Sequence, residues 1–198
     1  MDNPPCIKIN AELETQEIDA LIDLVKLVGH PNMRVLEIGT GQGGSSIEIY
    51  RQVVKDFNGS LYTIDIKPAR EILAISEAYP QFHFMIGRSE DFLRIFSPLA
   101  GFDLIFIDGS HVYQDVLSDI QLSLPLIREG GILCGHDCEG KYSDWELPEQ
   151  QFIDYQCQQG QDTPFCHAGV VKALYDVFQD NYELCPSTRI WHVKKITA

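Results

Sequence analysis

Short apolar runs recur along this chain, and a stretch of helical periodicity follows most of them. The runs cover 34–38, 61–65, 82–86, 103–108 and 131–135. Continuous apolar segments of that length predict strands buried on both faces. Helical spacing over about 45–56, 69–78, 89–97 and 112–127 predicts helices between them. Ahead of the first run, Ile18, Leu21, Ile22, Val25 and Val28 recur at helical intervals, so 15–28 reads as an amphipathic helix ended by Gly29 and Pro31. This βαβα alternation predicts an α/β domain whose mostly parallel sheet is covered on both faces.

The end of the chain breaks the rhythm. Val170 to Phe178 reads as a helix, and strand candidates follow at 182–184 and 189–193. Only Cys185-Pro186-Ser187-Thr188 joins them, which is too short for a crossover, so they form an antiparallel hairpin. The region 138–166 is the least regular, with a short helix expected over 149–158. A long irregular insert after a strand is often functional.

The segment Arg34-Val-Leu-Glu37-Ile-Gly39-Thr40-Gly41-Gln-Gly43-Gly44-Ser45-Ser46 carries the most information. A strand runs into clustered glycines and then into a helix. Glycine lets a backbone approach a ligand closely, and a helix start offers unpaired N–H groups. The pattern predicts a grip on a nucleotide-like molecule. Gly39-x-Gly41-x-x-Gly44 formally matches a dinucleotide fingerprint. Against that reading, no second nucleotide-binding half is visible and the chain ends in a hairpin. Glu37 would also face a pyrophosphate with a negative charge, whereas a cationic ligand would suit it.

Composition narrows the choice of partner. The 198 residues suffice for one domain with a full core, and 44% hydrophobic with 22% charged residues is ordinary for a globular chain. A net charge of −14 disfavours nucleic acid and anionic membrane surfaces, leaving small molecules. Met1-Asp2-Asn3-Pro4-Pro5 has no basic, apolar signal-peptide pattern, so a cytoplasmic location is expected. Cysteines 6, 134, 138, 157, 166 and 185 are expected to be reduced thiols. The lone C-x₃-C pair lacks a partner pair for a zinc site. No heptad pattern speaks to oligomeric state, so a homo-oligomer is neither implied nor excluded.

Further motifs point to one family. Asp65 closes the second strand in Thr-Ile-Asp-Ile66-Lys-Pro. Gly87-Arg-Ser89-Glu90-Asp follows the third. Phe102-Asp-Leu-Ile-Phe-Ile-Asp108-Gly109-Ser-His111 is followed by Leu126-Ile-Arg-Glu-Gly-Gly-Ile-Leu-Cys-Gly-His136-Asp137. His167-Ala-Gly-Val-Val-Lys-Ala and Ile190-Trp191 complete the set. Together with the glycine segment, these resemble class I S-adenosylmethionine-dependent methyltransferases. The similarity is to a small subfamily related to catechol-type O-methyltransferases and the cephalosporin-hydroxylase group, and it spans about residues 30–195.

The resemblance implies a Rossmann-like three-layer sandwich: a seven-stranded, mostly parallel sheet with an antiparallel C-terminal strand. It implies S-adenosylmethionine as cofactor and a small hydroxylated metabolite as methyl acceptor. Cofactor contacts would come from Glu37, Gly39, Thr40, Gly41, Gly43, Ser45, Asp65, Ile66, Ser89, Glu90, Asp108, Gly109 and His111. Among these, Glu37 would hold the amino group, Asp65 the ribose hydroxyls, and Ser89 the adenine edge. Asp108 would lie beneath the sulfonium. Ser89 also suits a helix N-cap.

Ligands bind beyond the carboxyl ends of strands in open α/β sheets. There Asp108 and Asp137 stand beside His111 and His136. Two chemistries fit. A divalent ion (Mg, Ca, Mn or Zn) held by Asp108 and Asp137 with His111 or His167 would acidify the acceptor hydroxyl. Alternatively His111 or His136 acts as general base, with Asp137 beside it. The chain departs from the catechol-type pattern by ending its fifth strand in Gly-His-Asp-Cys. Tyr142, Trp145, Phe152 and Tyr155 of the insert are candidates for acceptor-pocket walls. A methyltransferase-fold hydroxylase and a catalytically silent cofactor-binding protein are the rival readings.

Overall fold

The computed structural model describes residues 13–67, 69–96, 98, 101–161 and 166–195. Its sheet has seven strands: β1 (Arg34–Ile38), β2 (Ser60–Asp65), β3 (Phe82–Ile86), β4 (Phe102–Ile107), β5 (Ile127–Gly135), β6 (Glu183–Leu184) and β7 (Trp191–Lys194). Their order is β3-β2-β1-β4-β5-β7-β6. Pairing is parallel from β3 through β5. β7 runs antiparallel to both β5 and β6. This is the Rossmann-like, mostly parallel arrangement with an antiparallel end.

Successive strand residues point to opposite faces, and here both faces are dry. In β1, Val35 packs into one core while Leu36 and Ile38 pack into the other. In β4, Leu104 and Phe106 face one way, Ile105 and Ile107 the other. Helices α1 (Thr15–Leu27), α2 (Gly44–Phe57) and α3 (Arg70–Ala78) cover the first face. Helices α4 (Ser89–Leu93), α5 (Tyr113–Ser123), α6 (Leu147–Gln159) and α7 (Ala168–Phe178) cover the second.

The differences from the sequence reading have local causes. α5 stops at Ser123, and a 3₁₀ turn over Leu124–Leu126 replaces its expected last turn. Pro125 has no N–H to continue the helical ladder. β5 starts at Ile127 rather than 131, with a register shift opposite Phe102 and Leu104. α4 ends at Leu93 instead of 97. In α1 the buried stripe is Glu17, Leu21, Leu24 and Val25, so Leu24 replaces Ile22 and a carboxylate joins the apolar face. The insert is more regular than its composition suggests, because α6 fills Leu147–Gln159 with Pro148 in its first turn and Gly160 as its cap.

No helix among the described residues is long and apolar enough to cross a membrane. The described cysteines 134, 138, 157, 166 and 185 are free thiols, and Cys6 lies outside the described residues.

Candidate active site

The carboxyl ends of β1, β2, β3 and β4 surround a cavity of about 420 Å³. Its lining includes Gly39, Gly41, Asp65, Ile66, Ser89, Glu90, Asp108 and Gly109. The volume lies within the range of small-molecule sites. Thr40, Gly43, Ser45, His111 and Glu37 do not line it.

Glu37 is enclosed instead. It has no exposed surface, and its carboxylate accepts from Ser45 Oγ (2.6 Å), Thr63 Oγ1 (2.6 Å) and Ser46 Oγ. Burial outweighs these donors and pushes its carboxyl up to about 7. Glu37 thus forms an internal clamp that ties the end of β1 to the first turn of α2 and to β2. Thr40 belongs to the same network through Thr63, 2.7 Å away.

Gly39 is required by the protein itself. Its φ is +97°, and a Cβ there would lie 1.9 Å from the Asp108 carbonyl oxygen. The β1 turn can pass the end of β4 only without a side chain. Asp65 closes the other side: its Oδ2 accepts from Gly41 N–H and its Oδ1 from Lys67 N–H, both at 2.8 Å.

At the far end of the cavity, Ser89 is the first residue of α4, not its N-cap, which is Arg88. Its hydroxyl donates to Asp119 Oδ1 at 2.5 Å. Asp119, buried on α5, also lines the cavity. Burial pushes its carboxyl up to about 6, and neighbouring Asp115 adds to the rise.

A second cluster adjoins the cavity through Asp108, Gly109 and Ser110, which line both. His111 Nε2 lies 2.8 Å from Asp137 Oδ2. His136 Nδ1 lies 3.1 Å from Asp137 Oδ1 and 3.6 Å from Asp108 Oδ1. Its Nε2 is 2.9 Å from Glu17 Oε1. His167 packs edge-on against His111, with ring centroids 4.3 Å apart, and turns Nδ1 to Glu139 Oε1 at 2.5 Å. Gly169 makes this approach possible, since a Cβ there would sit 2.1 Å from the His111 carbonyl oxygen.

Electrostatics separates the two histidines that the sequence offered as bases. Burial opposes a charge on His136, but the Asp108 and Asp137 carboxylates outweigh it and push the imidazole up to about 10. The charged form of His136 is therefore favoured, which suits a hydrogen-bond donor better than a base. Burial likewise opposes charge on Asp137, and His111 and His136 overcome it, holding the carboxyl far below the usual range. His111 retains the geometry of a base backed by a carboxylate beside the cavity that Asp108 lines.

The expected metal donors come together in part. One donor atom each from His111, Asp137 and His167 lies within 4.8 Å of the others, and so do atoms of Asp108, His136 and Asp137. Both groupings need Asp137. The Arg189 guanidinium, which the sequence reading missed, already sits 2.9 Å from Asp137 Oδ1. That cation makes the pocket a poor fit for a divalent ion.

Glu17 was also missed. It accepts from Glu14 N–H at 3.0 Å to cap α1 and holds both His136 and Arg189. A carboxylate four residues before Leu21, on the buried stripe of α1, was the available signal. The insert aromatics do not line the cavity. Tyr142 stacks on Tyr175 at 4.6 Å and bonds Asp154 (3.0 Å), Trp145 packs on the core, and Phe152 and Tyr155 are exposed. Of the histidines given no role, His83 stacks on Tyr62, His30 pairs with Asp103 and His192 with Glu183.

Comparison with known proteins gives this arrangement a class. The Methyltransf_24 family profile, a methyltransferase domain, matches residues 36–138. The chain belongs to this methyltransferase family. No curated protein matches it. Among solved structures, it resembles an O-methyltransferase from Bacillus cereus in complex with SAH, at 20% identity and TM-score 0.62, over 98% of this chain and 85% of that one. It also resembles CalS11, a TDP-rhamnose 3′-O-methyltransferase of calicheamicin biosynthesis, at 12% identity and TM-score 0.67, over 93% and 80%. The MycE methyltransferase of mycinamycin biosynthesis, in complex with Mg and SAH, matches at 22% identity and TM-score 0.59, over 90% of this chain and 49% of that one. At these identities the likeness is one of fold.

Proposed function

We propose that the protein transfers a methyl group from S-adenosylmethionine to a hydroxyl of a small metabolite, with His111 as general base. One observation carries the reading: the cavity bounded by the β1 glycine turn and Asp65 adjoins the His111–Asp137 pair through Asp108, Gly109 and Ser110.

The cavity's residues suit the cofactor. Asp65 retains lone pairs beside its two backbone contacts, enough to accept from ribose hydroxyls. Ile66 gives an apolar edge, and Ser89 and Glu90 lie where an adenine ring would end. SAH in the B. cereus structure and in MycE supports the assignment. When bound, S-adenosylmethionine would supply an electrophilic sulfonium methyl for transfer to the acceptor oxygen, with a neutral thioether as the leaving group.

The chain's own residues prepare the acceptor. The His111 imidazole, with Nε2 held against Asp137, takes the hydroxyl proton. Asp137 orients the ring and stabilises the imidazolium that forms. His136 also helps to keep Asp137 anionic.

The test is incubation with S-adenosylmethionine and a panel of hydroxylated metabolites, read by mass spectrometry. A product heavier by one methylene is expected. A product heavier by one oxygen would replace this reading with the hydroxylase, and cofactor binding without any product would favour a silent binder.

A further inference from the structure

Any divalent ion in either donor grouping must share Asp137, and both Asp137 oxygens already meet nitrogen donors. Arg189 Nη1 and His136 Nδ1 lie on Oδ1 at 2.9 and 3.1 Å, and His111 Nε2 lies on Oδ2 at 2.8 Å. A guanidinium is always charged and has donors only. It cannot ligate a metal, and at this distance it repels one.

Arg189 is fixed in place. Its Nε and its backbone N–H both reach Glu17 Oε1, at 3.2 and 3.3 Å. Its carbonyl accepts from Cys138 N–H at 3.1 Å. The antiparallel return of β7 explains the position: Trp191 pairs with Gly135, so Arg189 arrives beside the residues that follow β5. Asp137 is bent to receive it, with φ at +59°.

We propose that Arg189 takes the place of a divalent cation. It neutralises Asp137 permanently, and the crevice excludes metal ions and works without one. Asp137 then acts only as the acceptor that orients His111. The catalytic consequence rests on the methyl-transfer reading; the exclusion of ions does not.

The test dialyses the protein against chelator and titrates it with Mn²⁺ alone, following uptake by calorimetry and by the spin-resonance signal of the free ion. The wild type should take up no stoichiometric ion, nor should Arg189→Lys, which keeps a cation. Arg189→Met should bind roughly tenfold more tightly or better, because one unit charge beside a divalent ion exceeds that factor. Circular dichroism establishes that each variant is folded, and Arg189→Gln substitutes if the Met variant is not. Stoichiometric uptake by the wild type would overturn the proposal. So would a folded Met or Gln variant that still takes up no ion. S-adenosylhomocysteine binding to the same wild-type sample reports separately on the cofactor reading.

Discussion

His111 Nε2 lies 2.8 Å from Asp137 Oδ2, although the two residues leave different strands of the sheet. The contact follows from parallel pairing. Ile107 is opposite Gly135, so the residues just beyond β4 and β5 emerge at one end and meet across it. His111 does not line the cavity at the ends of β1 to β4, and Asp108 lines both that cavity and the crevice holding His111.

That placement separates catalysis from cofactor binding. His111→Gln should lower turnover by roughly 10²- to 10⁴-fold, the range for loss of a general base. Affinity for S-adenosylhomocysteine should stay within a factor of about three, since the cavity wall is untouched. A collapse of that affinity, with turnover per bound cofactor unchanged, would place His111 in the cofactor site instead.

Asp137 should matter to folding as well as to chemistry. Asp137→Asn keeps a side chain that tolerates positive φ but leaves His136 and Arg189 with only Glu17 of the two carboxylates they share. Breaking a largely buried pair by removing one partner costs about 3 kcal/mol. Urea unfolding should show that loss, and an unchanged midpoint would contradict it.

Glu37 predicts a pH dependence of stability. Burial raises its carboxyl from an ordinary 4.5 to about 7 in the folded protein. Between those values the unfolded chain releases a proton that the folded chain keeps, so stability falls as pH rises from 4.5 to 7 and then levels off. The loss is about 3 kcal/mol for a shift of this size. Glu37→Gln removes the titration, and its unfolding free energy should gain on that of the wild type by this amount across the window. Parallel curves for the two proteins would refute the clamp.

Legibility in the sequence followed the range of the contacts. The strands were readable because each core strand is apolar on both faces, as Val35 and Leu36 show by packing into opposite cores. Gly39 and Gly41 lie just past β1, Asp65 ends β2, Ser89 lies three residues past β3 and Asp108 follows β4, so the parallel pairing that the apolar runs implied brings them to one cavity. The enclosure of Glu37 was not readable because its partners, Ser45, Ser46 and Thr63, meet it only after folding. Glu17 and Arg189 were not readable as a pair. They are 172 residues apart, and only the antiparallel β7 brings one to the other. The carboxylates around His136 were only partly readable, since Glu17 comes from α1, Asp108 from the residue after β4 and Asp137 is its own neighbour.

The most direct test of the whole account is calorimetric titration of the wild type and Asp65→Asn with S-adenosylhomocysteine. One site per wild-type chain is expected, with affinity weakened roughly tenfold in the variant, the value of a hydrogen bond to a charged group. No binding to the wild type, or equal binding to both proteins, would contradict it.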